Sequence, residues 1–190
     1  MSGKKIIAHA GSHSTGKTEA VYSHAAFLKK TKPNLKIGIV NELTKKYPFP
    51  IHDNQNIDSV FWLLTSQIKA ELEAATKYDI VICDRSVFDC IAYTHVASPQ
   101  INTEAIIRMA SLHHFRHYNP IIYHSVCNNK ICSDGFRNED PVFRSRVDYA
   151  LKALFHIYSI RFVPVENTQF TNPWWDAVLE ANASSWSPLP

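Results

Sequence analysis

The sequence predicts an α/β protein, a three-layer sandwich built on a five-stranded parallel sheet. Short apolar runs alternate with longer stretches of helical periodicity along the chain, the pattern of repeated strand–helix–strand units. Runs such as Asp79-Ile80-Val81-Ile82-Cys83 are almost uninterrupted in apolar character, as strands covered on both faces must be. The first run leads directly into Gly11-Ser12-His13-Ser14-Thr15-Gly16-Lys17-Thr18, and a helical pattern opens behind it. This is GxxxxGK[ST] with a strand before and a helix after, the context in which the spacing forms a phosphate-binding loop.

Taken in order, residues 4–10 read as the strand that delivers this loop. Val21, Ala25 and Leu28 mark one face of a helix from Lys17 to about Lys30, which Thr31-Lys32-Pro33-Asn34 ends. A second strand over 35–40 closes on Asn41-Glu42, and a Pro-rich loop with Tyr47 and Phe49 follows. The stripe Ile57, Val60, Leu64, Ile68 and Ala75 predicts a long helix over 56–77, with Gln67 and Glu71 along its inward edge. A third strand over 79–83 ends on Asp84-Arg85-Ser86. Helical segments at 87–97 and 103–117 precede a fourth strand over 120–126. Pro141 suits the first turn of a helix reaching His156. A fifth strand over 160–165, a helix over 174–183 and a loose tail over 184–190 complete the chain. With no repeat and no linker, residues 1–190 read as a single domain.

Composition narrows the function classes. The apolar fraction of 45% and charged fraction of 19% are those of an ordinary globular protein. A net charge of +3 suits phosphate-rich ligands but is too small to argue for nucleic acid. None of the four cysteines (Cys83, Cys90, Cys127, Cys132) falls in a CxxC pair or at zinc-finger spacing, and Cys83 reads as a buried free thiol. His113, His114 and His117 lack a carboxylate motif of the HExxH kind and read as a histidine-rich surface helix. Met1 to Lys5 leads straight into the first strand, and no apolar run approaches the length of a membrane span. A cytoplasmic protein with reduced thiols and no membrane partner is expected.

The chemistry begins at the loop. Two glycines let successive backbone N–H groups of residues 11–18 turn toward phosphate oxygens at a helix N-terminus. Lys17 would reach the β- and γ-phosphates, and the Thr18 hydroxyl would ligate Mg²⁺. ATP with Mg²⁺ is the expected cofactor pair, although nothing near Glu166 to Thr168 separates ATP from GTP. Ligands of open parallel sheets bind at the carboxyl ends of the strands. The second strand brings Glu42 there, a base for an acceptor hydroxyl or a solvated strand-end carboxylate. The third brings Asp84, a Mg²⁺ group or a helix N-cap. It also brings Arg85, a phosphate contact or a structural ion pair. A lid is expected at about 127–146, where Arg137, Arg144 and Arg146 could stabilise charge on the transferring phosphoryl group. Gln67, Trp62, Phe61, Tyr47 and Phe49 are candidates for holding a planar acceptor.

These pieces resemble a known group: the small AAA-labelled phosphate-loop proteins related to the kinase domain of nicotinamide riboside kinases, and more distantly deoxynucleoside and thymidylate kinases. The resemblance rests on Ala10 to Thr18, Asn41-Glu42, the inward Gln67, Asp84-Arg85-Ser86 with Asp89 and Tyr93, and Asp134-Gly135-Phe136-Arg137. It implies a nucleoside/nucleotide kinase-like fold, Glu42 as base, Asp84 with Arg85 handling magnesium and phosphate, and Gln67 pairing with a nucleobase. Lys45 stands where many relatives carry an arginine, and a lysine lacks the bidentate fork, so acceptor recognition could differ.

The function these readings predict is transfer of the γ-phosphate of ATP to a nucleoside- or nucleotide-like acceptor. One alternative acceptor is the hydroxymethyl group of a modified pyrimidine within DNA, the only reading in which DNA is a partner; a second alternative is an ATP-hydrolysing switch. Oligomeric state stays open, a homodimer included.

Overall fold

Alternation of side chains along the first strand assigns the layers. In β1 (Lys5–Ala10), Ile6, Ala8 and Ala10 join one buried apolar cluster while Ile7 joins another on the opposite face. The computed structural model describes residues 5–48, 56–119, 121–126 and 140–165. Within them the other strands are β2 (Ile37–Val40), β3 (Ile80–Asp84), β4 (Ile121–His124) and β5 (Phe162–Val165). The sheet order is β2-β3-β1-β4-β5, and every pair is parallel. The α/β architecture and its five-stranded parallel sheet are those the sequence predicts. The order itself places β1 centrally, so the loop leaving it meets the carboxyl ends of both β3 and β4.

Helix α1 (Lys17–Thr31) covers one face, where Val21 and Leu28 pack on Ile7, Ile80, Ile82 and Ile122. The other face carries α2 (Ile57–Lys77), α3 (Asp89–Ala97), α4 (Glu104–His117) and α5 (Pro141–Ile157). Val60, Leu64, Ile91, Ile106, Val147, Leu151 and Phe155 build the larger cluster there. Local signals set the helix starts. Asn56 caps α2 by accepting from the Ser59 N–H, and Asp140 caps α5 by accepting from Val142, with Pro141 in the first turn. The helix expected at 174–183, the tail at 184–190 and the lid loop 127–139 lie outside the described residues.

Several boundaries move inward from the expected ones, β4 and β5 among them, and two have a clear local cause. Strand β2 opens at Ile37, because the Lys36 N–H is bonded to the Asp79 carboxylate and Leu35 N–H to Lys32 in a turn. Helix α3 opens at Asp89, because its carboxylate takes the Ser86 N–H and holds residues 86–88 as a turn. A short 3₁₀ turn, Leu43–Lys46, follows β2.

The expectation of a solvated histidine face on α4 is corrected: His113 and His114 are buried. The cause is Glu71 of α2, fully buried beneath α4. Its Oε2 lies 2.6 Å from His113 Nε2, and its Oε1 accepts from Tyr118 (2.7 Å) and Gln67 (2.7 Å). Tyr118 in turn accepts from the Val87 N–H at 3.1 Å, which ties α2 and α4 to the chain leaving β3. A buried carboxylate is tolerable only when such donors replace water. Glu71→Ala strands all three donors and should lower the unfolding free energy by about 3 kcal/mol in urea titrations. A loss below about 1 kcal/mol would mean the network adds nothing beyond packing.

Candidate functional site

The phosphate loop is shaped by backbone conformations that few residues adopt. Gly11 has φ +149°, Ser14 φ +55° and Gly16 φ +80°. Gly11 is also pressed against β4: a Cβ there would collide with the His124 carbonyl oxygen. Lys17 is buried and folds back over the loop, donating to the Ser12 carbonyl and, at 3.2 Å, to Thr15 Oγ1. The Ser12 hydroxyl is buried and has no hydrogen-bond partner within the described protein. A buried ammonium donating to loop oxygens, beside an orphaned hydroxyl and a left-handed glycine turn, suits a phosphate chain. Residues 11–18 would thus suit the phosphate chain of a nucleotide.

Strand register brings the next groups in. His9 pairs with Asp84 across β1 and β3, so the end of β3 lies beside the loop. Thr18 Oγ1 donates to Asp84 Oδ2 at 2.7 Å. Asp84 does not cap α3, which begins five residues later. A hydroxyl and one carboxylate are the hard oxygen donors that Mg²⁺ takes from such proteins, the remainder being water and phosphate. Thr18 and Asp84 therefore fit a magnesium ion, whose contribution when bound is to neutralise phosphate charge. Among the described residues no group of three or more His, Cys, Asp or Glu is set to hold a metal by itself.

Arg85 turns the other way. Its backbone has φ +101°, a conformation costing about 1–2 kcal/mol outside glycine. Its Nε lies 2.7 Å from Glu42 Oε1, and both side chains are one-tenth exposed. Glu42 also accepts from the Thr44 hydroxyl at 2.6 Å, so it is a paired carboxylate and not a solvated one. Arg85 packs over the Tyr93 ring, 5.1 Å from its centroid, and its second arm lies 3.6 Å from Asp89. Burial alone would lower the Arg85 pKa, but Glu42, Tyr93 and Asp89 outweigh it and hold the guanidinium firmly charged.

The remaining expected residues spread further. Trp62 is half-buried on α2 and meets Tyr47 edge-on, with centroids 5.8 Å apart. Gln67 is buried, its amide nitrogen 2.7 Å from Glu71 and 3.4 Å from the Arg85 carbonyl. Arg144 is buried in the first turns of α5, whose neighbouring Phe143 packs near Tyr93, while Arg146 is exposed. Arg137, Phe49 and the Lys45 side chain lie outside the described residues.

Three residues escaped the sequence reading. His9 Nδ1 lies 2.9 Å from His124 Nε2, and His9 Nε2 lies 3.2 Å from His24 Nδ1, forming a buried chain behind the loop. A neutral imidazole has one proton for two such contacts, so at least one neighbour donates to His9. The available signal was His9 itself, a polar side chain at an alternate position of an apolar strand.

Sheet order and the loop that leaves the central strand together match a P-loop NTPase/kinase-like architecture. The chain belongs to the AAA domain family, which matches it over residues 6–172. Among solved structures it is similar to thymidylate kinase from Ehrlichia chaffeensis, at 16% identity and TM-score 0.67, covering 94% of this chain and 98% of that one. It is also similar to NadR protein in complex with NR, at 19% identity and TM-score 0.70, covering 99% of this chain. There the match spans only 54% of the other chain, about half its length. Deoxyadenosine kinase from M. mycoides with bound dATP aligns at 14% identity and TM-score 0.56, covering 95% and 100%. At these identities the likeness concerns the fold. No curated protein matches the chain significantly. Among the described residues no helix is long and apolar enough to cross a membrane.

The histidine chain carries a pH dependence. Burial is the main cause lowering all three pKa values, His24 and His124 to about 3, with the Lys17 ammonium adding to the effect on His9 and His124. In the unfolded chain each titrates near 6.5. Between those values the unfolded state binds more protons, so stability is complete above pH 6.5 and is lost as pH falls toward 3. Each histidine should cost about 1–2 kcal/mol by pH 5. Urea titrations at pH 7 and pH 5 should therefore differ by several kcal/mol; equal midpoints would refute the neutral, buried assignment.

Proposed function

We propose that this protein is a kinase that transfers the γ-phosphate of ATP, with Mg²⁺, to a hydroxyl of a nucleoside-like acceptor, and that residues 1–190 form one such domain. One juxtaposition carries the reading. Adjacent residues at the end of β3 serve two neighbours, Asp84 accepting from Thr18 of the phosphate loop and Arg85 pairing with Glu42 just beyond β2. A donor site needs the first pair. A nucleotide switch has no use for the second, whereas a kinase needs a carboxylate and a cation where acceptor and phosphoryl group meet.

In this reading residues 11–18 bind the triphosphate and Lys17 follows its charge to the β/γ bridge. Glu42 orients the acceptor hydroxyl and takes its proton as the oxygen bonds to the γ-phosphorus, whose bond to the leaving ADP oxygen breaks. Arg85 holds Glu42 in place and faces the charge that spreads over the phosphoryl oxygens. Arg137 and Arg144 belong to the proposed closing lid. Trp62, Gln67 and Lys45 remain candidates for holding the acceptor. Arg85 is already matched by Glu42 and Asp89, which favours a neutral hydroxyl over a second phosphate as acceptor. The fold shared with a thymidylate kinase, a deoxyadenosine kinase and an NR-bound protein supports a nucleoside-like acceptor.

Labelled ATP offered with nucleosides, nucleotides and oligonucleotides carrying hydroxymethylpyrimidines tests this directly. Nucleosides should be labelled, and Glu42→Gln should slow labelling by about 10²–10⁴-fold while nucleotide affinity holds. Labelling of the oligonucleotides alone would transfer the assignment to the DNA-modifying reading. ATP hydrolysis without any labelled acceptor would leave only the switch.

A further inference from the structure

Two side chains one turn apart on α3 connect the phosphate loop to Arg85 by separate routes. Asp89, the first residue of α3, is almost completely buried. Its Oδ1 accepts from the Gly11 N–H at 3.2 Å and stands 3.6 Å from the Arg85 guanidinium. Its Oδ2 accepts from the Ser86 N–H at 2.8 Å and the Ser86 hydroxyl at 2.7 Å. Tyr93, four residues on, lies on the same helix face. Its hydroxyl is 3.1 Å from His13 Nδ1 inside the loop, and its ring carries the Arg85 guanidinium.

We infer that Asp89 and Tyr93 are positioning residues that couple the nucleotide-binding loop to Arg85, so that loop geometry and guanidinium placement are set together. This rests on the reading of residues 11–18 as a nucleotide site.

The argument is one of partners. A carboxylate this buried needs several donors, and Asp89 draws them from the first glycine of the loop and the Ser86 turn, with the Arg85 guanidinium as its ion-pair partner. Any shift of the loop at Gly11 is therefore felt by the carboxylate that restrains Arg85. The same holds at His13, whose tyrosine partner forms the floor under the guanidinium. If Asp89 served only to start α3, the Ser86 contacts would suffice. Gly11 and Arg85 would not need to share its other oxygen.

As positioning residues Asp89 and Tyr93 act through Gly11, His13 and Arg85, which their polar atoms and the tyrosine ring engage. The appropriate readout is energetic coupling. Affinity for the magnesium complex of a non-hydrolysable ATP analogue is measured by calorimetry for the full chain, Asp89→Asn, Tyr93→Phe, Arg85→Gln, and each α3 variant combined with Arg85→Gln. Asp89→Asn should weaken binding about 10-fold and Tyr93→Phe about 3-fold. In the Arg85→Gln background each should lose a measurable part of its effect, because one of the two groups that it joins is gone. Tyr93→Phe keeps the ring and removes one hydroxyl, so it supplies the comparison even if Asp89→Asn melts too low to assay.

Thermal melting of the same variants separates the bland role. A fall in Tm with analogue affinity within 2-fold of the full chain, or effects that simply multiply with Arg85→Gln, would overturn the coupling. An unmodified chain that fails to bind the analogue would overturn both this inference and the nucleotide reading. Coupled affinities in a protein that labels no acceptor would sustain the inference and remove only the kinase assignment.

Discussion

The site depends on the turn that ends β3. Asp84 and Arg85 are consecutive, and consecutive residues of a strand point to opposite faces. At Arg85 the chain leaves strand geometry with φ +101°, and its N–H is bonded to the His9 carbonyl at 3.0 Å. This break lets Asp84 reach Thr18 while Arg85 reaches Glu42 and rests on Tyr93. The conformation costs about 1–2 kcal/mol for a residue with a Cβ. It is held by charge: a buried guanidinium between the buried Asp89 carboxylate and the partly buried Glu42 carboxylate has little freedom to relax. Strain of this kind is retained where surrounding contacts over-determine it, and Arg85 meets that condition.

Burial of polar groups is the second organising fact. The side facing α1 keeps three histidines neutral in a chain beside the phosphate loop. The side facing α2 and α4 keeps Glu71 satisfied through Gln67, His113 and Tyr118. Both networks touch the chain at the ends of the central strands, His9 and His124 on one face and Val87 and the Arg85 carbonyl on the other. Such groups add less to stability than apolar packing of equal volume, but each demands one geometry. The loops at the carboxyl edge are thus anchored from both layers.

Under the proposed function, the consequence would be a division between a preorganised donor half and a separate acceptor half. Lys17, Thr18 and Asp84 already contact one another or the loop. Glu42, Arg85 and Thr44 form a second small network beside them. Gln67, read from sequence as a base-pairing amide, spends its nitrogen on Glu71 and the Arg85 carbonyl. Its placement bears on how the turn is supported as well as on any acceptor it meets.

Strand and helix identities were legible in the sequence because periodicity, capping residues and glycine spacing are local properties. So was the phosphate loop, whose residues are contiguous from Gly11 to Thr18. Asp84 and Glu42 could be placed at the carboxyl edge from their positions at strand ends. What the sequence could not determine was pairing between distant segments. That β3 and β4 flank β1, that Glu42 finds Arg85, that Asp89 reaches Gly11, and that His9 lies between His24 and His124 all depend on strand order. The histidines of α4 read as solvated because helical periodicity reports a face, not what waits opposite it, and a buried Glu71 waits there. The sequence by itself determined which groups the edge of the sheet would carry; only the tertiary structure decided which of them touch, because contacts of this kind join residues 15 to 115 positions apart.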